Sequence, residues 1–362
     1  MTTTFDIYDA YIDILQNDQF SPPLAAIKAL TKLIQNSDAG TMFELVSALQ
    51  KGAKDLSSRS SNPISLNAGC ELFNAFVTLF PHDSHNFENL KQRLIDYGET
   101  YATEALTYRE KIAELAFGFI KDGSVILTHS YSRVVMQTLL RAHKQKRISV
   151  FVTEARPRGL GIKTAETLTA AGVPCKVILD SAVAYVMDKV DFVLVGSEAV
   201  VESGGLVNAV GSNQIAIIAR AANKPFYALA ESYKFHRLFP LSQYDLPSHN
   251  TKFLSFSRPS LPEGPASIKS SNDESIIPSD TSTLSPKPDL DPPRITQEQI
   301  SQSNPDVDYT RFVLYSSTAT YSIILIFRTK SPRPDLISLV FSDVGSLTPE
   351  GVSQYLVGMF SG

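Results

Sequence analysis

The second part of the chain alternates short apolar runs with helical patterns, and this alternation restricts the possible folds more than any other feature. Five runs rich in Val, Ile and Leu lie at 124–130, 148–155, 175–180, 191–197 and 225–231. Helical patterns separate them at 132–146, 161–171, 181–189 and 212–222. Apolar strands that alternate with helices indicate a parallel sheet covered on both faces. A sixth run at 336–343 precedes a last helix, which Thr348 caps and Pro349 begins.

The first third of the chain is predicted to be helical. The segment 22–35 places its large apolar side chains three or four residues apart, which is typical of an amphipathic helix. Further helices are predicted at 41–50, 71–80 and about 87–120. We therefore predict an α/β protein in which an N-terminal all-helical domain (1–121) is followed by a Rossmann-like parallel-sheet domain (122–362).

Two segments near the C-terminus depart from this pattern. Residues from about 259 to 308 are dense in Pro, Ser and Asp, so we predict a disordered insert that buries too little apolar surface to fold. Residues 311–331 form an atypical apolar insert. Its apolar core, 312–327, is shorter than the roughly 20 residues of a spanning helix and contains several hydroxyl groups, so no membrane contact is predicted.

Composition excludes some classes of function. The net charge of −4 gives no reason to expect direct contact with nucleic acid, which a basic patch usually accompanies. The two cysteines, Cys70 and Cys175, form no disulfide framework and favour a reducing compartment. The N-terminus contains early acidic residues and lacks the basic-then-apolar pattern of a signal peptide. These features predict a cytoplasmic protein.

The candidate site residues follow the predicted strands, because an open parallel sheet binds ligands beyond the carboxyl ends of its strands. Backbone amides at the following helix starts are suited to hold a phosphate. The candidates are His129, Ser130, Tyr131, Ser132, Arg133, Glu154, Arg156, Arg158, Asp180, Ser181, Gly196, Ser197, Glu198 and Asn208.

Each candidate also has a structural interpretation. Ser132 and Asp180 are equally suited to cap helices, Glu154 and Arg156 to form an ion pair, and His129 to be a satisfied histidine at a strand end. The glycines between 203 and 211 fit neither a dinucleotide fingerprint nor a P-loop, and are interpreted as turn residues. His82 and His85 have no cysteine pair or further ligands beside them, so no metal site is predicted.

Several longer motifs carry a family resemblance. The segments ILTHSYSRVV (126–135), VTEARP (152–157), AESYKF (230–235) and VDYT (307–310) resemble the alpha-subunit family of eukaryotic translation initiation factor 2B. The resemblance covers both predicted domains. The wider superfamily includes ribose-1,5-bisphosphate and methylthioribose-1-phosphate isomerases.

The resemblance implies a ligand cavity without the isomerases' catalysis. Those enzymes are expected to carry cysteine and aspartate where this chain has Ser130 and Glu198, and a lysine where it has Ala209. A serine hydroxyl without an adjacent base is a weaker acid or base than a thiol, and glutamate is one methylene too long. We expect no catalytic residue and no required cofactor, with a sugar phosphate or nucleotide as a possible ligand. The alternative is an active sugar-phosphate (aldose–ketose) isomerase.

The resemblance also implies protein partners. It predicts a regulatory subunit of the factor that exchanges GDP for GTP on initiation factor 2. The chain would form a homodimer through its α/β half and hold together a decamer with the beta, gamma, delta and epsilon subunits. Its helical domain would contact the phosphorylated alpha subunit of initiation factor 2 around Thr41 and Glu44. These two residues also have the spacing of a capping box.

The insert at 311–331 departs from the family pattern. Family members are expected to run from the VDYT motif almost directly into the final strand. An exposed apolar insert promotes aggregation, so a retained intron or an incorrect gene model is one explanation, and a genuine extra element is the other. The prediction of the strand at 336–343 depends on neither explanation.

Overall fold

The computed structural model describes residues 5–17, 19–60, 63–81, 87–249, 251–255, 295–311 and 336–360. Residues up to 249 and from 305 onward form one compact unit, and residues 250–304 form another. The described elements of the second unit are a 3-10 turn at Thr251–Leu254 and a helix at Gln297–Ser303. A side-chain capping box of Thr296 and Gln299 begins that helix.

The described helices agree with the predicted fold class. They are α1 (Ile7–Leu15), α2 (Pro22–Gln35), α3 (Met42–Arg59), α4 (Pro63–Leu79), α5 (Phe87–Glu104), α6 (Tyr108–Phe117), α7 (Arg133–His143), α8 (Gly161–Ala170), α9 (Val183–Val186), α10 (Ser212–Ala221), α11 (Gln297–Ser303) and α12 (Pro349–Phe360). We call α1 to α6 the helical layer. The segment predicted as one helix at 181–189 is instead the short α9 between two 3-10 turns.

Helix α2 lies at the centre of the helical layer and packs against α1, α4 and α5. Its apolar stripe, including Leu24, Leu30 and Ile34, is fully buried, and each such side chain stabilises the fold by about 2 kcal/mol. Gly69 of α4 lies so close to α2 that a Cβ there would overlap the Pro23 backbone. Tyr233, from the α/β part of the chain, is buried in this same core and joins it to the sheet.

The described strands are β1 (Val125–His129), β2 (Ser149–Thr153), β3 (Cys175–Ile178), β4 (Phe192–Val195), β5 (Ala199–Val201), β6 (Leu206–Ala209), β7 (Phe226–Leu229), β8 (Phe235–His236), β9 (Val307–Thr310), β10 (Leu339–Ser342) and β11 (Gly345–Leu347). The main sheet has the order β3-β2-β1-β4-β7-β10-β11. All its pairs are parallel except the β10–β11 hairpin. All six predicted strands lie in this sheet, which confirms the Rossmann-like fold class.

Helices cover both faces of the main sheet, as the apolar strands predict. Ile126 and Leu194 belong to one core, with residues of α6, α7 and α8. The neighbouring Leu127 and Val193 belong to a second core, with residues of α9, α10 and α12. Alternate side chains of one strand therefore point to opposite apolar cores. Helix α6 consequently connects the helical layer to the sheet.

A smaller sheet of β8-β5-β6-β9 was not expected from the sequence. Its strand β9 pairs antiparallel with β6, with Asn208 opposite Asp308. The predicted disordered insert is wrong over residues 295–308, which contain α11 and the start of β9. The reason is local, since Val307 and Tyr309 alternate with polar residues and are buried against β6. The rest of that insert, and residues 312–331 of the apolar insert, lie outside the described residues.

A bilayer-spanning helix would have to be both long and apolar. Within the described ranges no helix meets that requirement.

Candidate functional site

The strand order reverses between β1 and β4, which places a crevice beyond their carboxyl ends. The chain leaves β1 through Ser130, whose φ of 61° lies in the left-handed region. Ala155, after β2, has a φ of 60°. Left-handed residues other than glycine cost about 1 to 3 kcal/mol and are typical of functional sites. Thr164 of α8 holds the first turn by donating its hydroxyl to the Ser130 carbonyl, at 2.7 Å.

A cavity of about 460 Å³ occupies this crevice. The sheet side of its lining contains six of the candidate site residues, Tyr131, Ser132, Arg133, Ser197, Glu198 and Asn208. The opposite wall comes from the helical layer. Its residues are Leu15, Phe20, Ser21, Pro22 and Ser65. The cavity therefore lies between the two parts of the fold.

Sequence reasoning missed three charged residues of the cavity. Lys163, in the first turn of α8, lies 4.5 Å above the Tyr131 ring, while Glu231 and Lys234 follow β7. The segment AESYKF that holds the last two was noted only as part of a resemblance, although its polar residues follow a strand. Three cations, counting Arg133, and two carboxylates, counting Glu198, line the cavity, which gives it a net positive charge.

Glu231 is the most buried charge of the site, with 2% of its side chain exposed. Burial acts to raise its pKa, but Lys234 at 2.8 Å and Arg109 at 3.1 Å outweigh this effect and lower the pKa to about 2. Burial and the neighbouring Arg109 lower the pKa of the Arg133 guanidinium. The site therefore concentrates positive charge that water does not screen, a favourable setting for an anionic ligand.

Two neighbouring serines, Ser132 and Ser197, line the cavity. Ser197 is 6% exposed, and its Oγ has no hydrogen-bond partner among the described residues. Ser132 occupies the N-cap position of α7 but makes no capping bond with its side chain, so the predicted cap is present in position only. Gly196 makes room for it, because a Cβ there would overlap Ser132.

His129 does not line the cavity. Its Nδ1 lies 2.6 Å from Thr153 Oγ1 and its Nε2 lies 2.9 Å from the Val210 carbonyl. Because a carbonyl only accepts, Nε2 carries the proton, and burial lowers the pKa of the ring and keeps it neutral. His129 is thus the satisfied strand-end histidine of the structural interpretation.

Asp180 is also turned away from the cavity. Its carboxylate accepts hydrogen bonds from the backbone N–H groups of Ala155 and Arg156, at 2.9 and 2.8 Å. It therefore holds the loop after β2 and makes no side-chain cap for the segment that follows it. Glu154 pairs with Arg156 at 3.2 Å, which agrees with the structural alternative for that pair.

A second cavity, of about 30 Å³, shares Tyr131, Glu198 and Asn208 with the first. It is also lined by Ser130, Arg156 and Arg158. Arg158 forms an ion pair with Asp306, at 2.9 Å. Of these two cavities in the described part of the chain, Ser130 lines the smaller, whereas Glu198 borders both.

Asp308 supports the site from β9. Its Oδ2 accepts from the N–H groups of Gly211 and Asn213, at 2.7 and 3.0 Å, and so holds the start of α10. Burial raises its pKa to about 7, although those two hydrogen bonds act in the opposite direction. The neighbouring Asn208 donates to Ser212 at 2.9 Å. In the sequence analysis Asp308 was noted only as part of the VDYT motif.

Thr41 and Glu44 lie outside the cavity, on the exposed start of α3. Thr41 Oγ1 accepts from the Glu44 N–H at 3.3 Å, and Glu44 Oε2 accepts from the Gly40 N–H at 2.9 Å. The structural interpretation of a cap is therefore correct, with the glutamate bond one residue earlier than in a capping box. His82 and His85 lie outside the described residues. In the part of the chain that is described, no group of three His, Cys, Asp or Glu residues is arranged to hold a metal.

Comparison with known proteins gives a consistent result. A model of the "Initiation factor 2 subunit family" matches residues 20–311. The chain is 37% identical over 350 residues to "Translation initiation factor eIF2B subunit alpha" of Dictyostelium discoideum, covering 96% of this chain and 94% of the relative. It is 41% identical to the "Ribose 1,5-bisphosphate isomerase" of Methanocaldococcus jannaschii over 152 residues, which cover 42% of this chain and 49% of that enzyme.

Among solved structures, the fold is similar to a subunit in the crystal structure of the tetrameric eIF2B-beta2-delta2 complex from C. thermophilum. The TM-score is 0.63 at 18% sequence identity, covering 97% of this chain and 94% of that one. At this identity the likeness concerns the fold.

Proposed function

The chain belongs to the initiation factor 2 subunit family, and on this premise we propose that it is a non-catalytic, regulatory subunit of the exchange factor for initiation factor 2. The similarity to an alpha subunit over nearly the whole length of both proteins carries the proposal. The site supports it, because Ser130 and Glu198 stand where the isomerases are expected to carry cysteine and aspartate. A complex reconstituted with and without this chain tests the role.

The test compares GDP release from initiation factor 2 with its alpha subunit phosphorylated or unphosphorylated. We expect the phosphorylated factor to inhibit exchange only when this chain is present, through a contact on the helical layer that includes the exposed start of α3. Equal inhibition in both complexes would remove the sensing role. Phe43 is 83% exposed beside Thr41 and Glu44. Its replacement tests whether this surface, and not another, makes the contact.

The second part of the proposal is a homodimer formed through the α/β half. Strand β3 is an edge of the main sheet, and the apolar residues Val177, Leu179 and Tyr185 on and after it are 47%, 61% and 90% exposed. Such an exposed apolar group at a sheet edge marks an interaction surface. Sedimentation of Leu179→Lys is expected to give a monomer and the unmodified chain a dimer. A monomeric unmodified chain would exclude this dimer.

The third part is a ligand. We infer that the 460 Å³ cavity binds a phosphate ester that carries hydroxyl groups, such as a sugar phosphate or a nucleotide, with no cofactor required. Arg133, Lys163 and Lys234 are suited to pair with the phosphate, while Glu198 is suited to the sugar. Calorimetric titration with ribose 5-phosphate tests this binding.

The alternative function is sugar-phosphate isomerisation. Two observations favour it. The cavity is cationic, and a segment that makes up 42% of the chain is similar in sequence to ribose 1,5-bisphosphate isomerase. Against it, none of the described residues that line the cavity carries a thiol or an imidazole, the usual side chains for proton transfer near neutral pH. Ketose formation from an aldose phosphate by purified protein would overturn the non-catalytic role.

A further inference from the structure

One wall of the cavity belongs to the helical layer, at the point where the chain enters α2. We call Gln19, Phe20 and Ser21 the α2 entry. The backbone carbonyls of its first two residues are held by guanidinium groups from different parts of the fold. Arg109 Nη2 donates to the Gln19 carbonyl at 3.1 Å, and Arg133 Nη1 donates to the Phe20 carbonyl at 3.0 Å. The position of this wall therefore depends on both arginines.

Arg109 connects the α2 entry to the opposite wall without lining the cavity itself. Its Nε donates to Glu231 Oε1 at 3.1 Å, and Lys234 Nζ lies 2.8 Å from Glu231 Oε2. Lys234 also donates to the Ser197 carbonyl, at 2.9 Å. A continuous chain of polar contacts therefore runs from the Gln19 carbonyl to the Ser197 carbonyl.

The charges along this chain are unbalanced. Arg109, Arg133 and Lys234 lie around the single carboxylate of Glu231, and all but Arg133 contact it directly. Arg133 is half-buried near Arg109, whose positive charge acts on it. An anion beside Arg133 and Lys234 would offset this repulsion. The electrostatic free energy needed to keep both guanidinium groups at the α2 entry would then be lower.

We propose that Arg109 is a positioning residue that couples occupancy of the cavity by a phosphate ester to the α2 entry, and through it to the helical layer. The coupling rests on the proposed ligand binding and adds a regulatory consequence to it. Because linkage is reciprocal, a partner that stabilises the helical layer also increases the affinity of the cavity for its ligand.

Hydrogen exchange of the full chain, with and without saturating ribose 5-phosphate, tests the coupling. In the unmodified protein we expect at least threefold slower exchange in the peptide that contains the α2 entry, and also in the peptide 130–136 beside the cavity. In Arg109→Met, slowing in the α2 entry is expected to be lost, while slowing at 130–136 remains. Arg141→Met is the matched control, since Arg141 joins α7 to Glu114 of α6 away from the cavity.

The outcomes separate the two proposals. Ligand binding without slower exchange in the α2 entry, or with equal slowing in Arg109→Met, overturns the coupling and leaves the ligand site intact. Calorimetry that detects no binding of ribose 5-phosphate or inorganic phosphate overturns the ligand site and the coupling with it. Should Arg109→Met not fold, Arg109→Lys is expected to retain part of the slowing, and full slowing in that variant contradicts a role for both guanidinium bonds.

Discussion

The Nε of Arg109 donates to Oε1 of Glu231 across 3.1 Å and so joins the start of α6 to the second residue after β7. Only 12% and 2% of the two side chains are exposed. A charged pair this deeply buried is costly to break, because a lone charge remains without water or counter-charge. This bond therefore ties the helical layer to the sheet beside the cavity.

Glu231→Gln is expected to lower the free energy of unfolding by about 3 kcal/mol, because Arg109 and Lys234 lose their buried counter-charge. Urea denaturation at pH 7 measures the loss. Glu114→Gln is the control, since its partner Arg141 forms an exposed pair that contributes less than about 1 kcal/mol. Similar small losses in both variants would contradict the importance of the buried pair.

The same residue predicts a dependence on acid. Its pKa is about 2 in the folded chain, below the ordinary value of 4.5. A lowered carboxyl pKa contributes stability that is present above pH 4.5 and is lost as the pH falls toward 2. The difference in unfolding free energy between the unmodified chain and Glu231→Gln is therefore expected to shrink over this window. A difference that stays constant from pH 5 to pH 3 would be inconsistent with the lowered pKa.

Asp308 is expected to make stability depend on pH with the opposite sign to Glu231, and Asp308→Asn is expected to remove that dependence. Burial raises the Asp308 pKa from 3.8 to about 7, so the folded chain binds this proton more tightly than the unfolded one. Its stabilising contribution is present below pH 3.8 and is lost as the pH rises through 7. Melting temperatures of both proteins at pH 5 and pH 8 measure this loss of stability.

The Asn variant cannot titrate, so it is expected to gain stability relative to the unmodified chain between pH 5 and pH 8. Taking the difference between the two proteins removes the contributions of other groups, including the buried His129, which both share. A difference that does not vary with pH would show that Asp308 is ionised throughout.

Lys163→Gln is expected to weaken binding of ribose 5-phosphate about tenfold, which corresponds to about 1.4 kcal/mol, because one charge-assisted contact is lost. Titration calorimetry gives the affinity. Lys111→Gln is a matched control, since Lys111 also lies above a tyrosine ring, that of Tyr108, but does not line the cavity. Equal loss in both variants would indicate a general electrostatic effect and not a site.

Gly69→Ala is expected to destabilise the chain by about 2 kcal/mol, because the new methyl group overlaps the Pro23 backbone where α2 and α4 meet. Gly358 lies on the exposed side of α12, and a Cβ there meets no atom within 4 Å. Gly358→Ala is therefore expected to raise the free energy of unfolding, by at most about 1 kcal/mol, through helix propensity. Thermal unfolding of both variants tests the close approach. A neutral Gly69→Ala would mean that the two helices separate easily.

The sequence by itself determined the elements of the fold. Helix α2 was predicted at its observed bounds, and each of the six predicted strands belongs to the main sheet. Apolar periodicity and proline placement act within a few residues, so they can be read along the chain. The carboxyl ends of β1 and β4 followed from the parallel order, which explains why Ser132, Arg133 and Glu198 were correctly placed together.

Only the tertiary structure decided which side chains meet. His129 and Asp180 also follow strands, but their hydrogen bonds turn them away from the cavity. Phe20 reaches the cavity from more than a hundred residues earlier in the chain, and Asp308 reaches α10 by pairing of β9 with β6. Such contacts depend on the packing of distant segments and on side-chain direction, neither of which local periodicity contains.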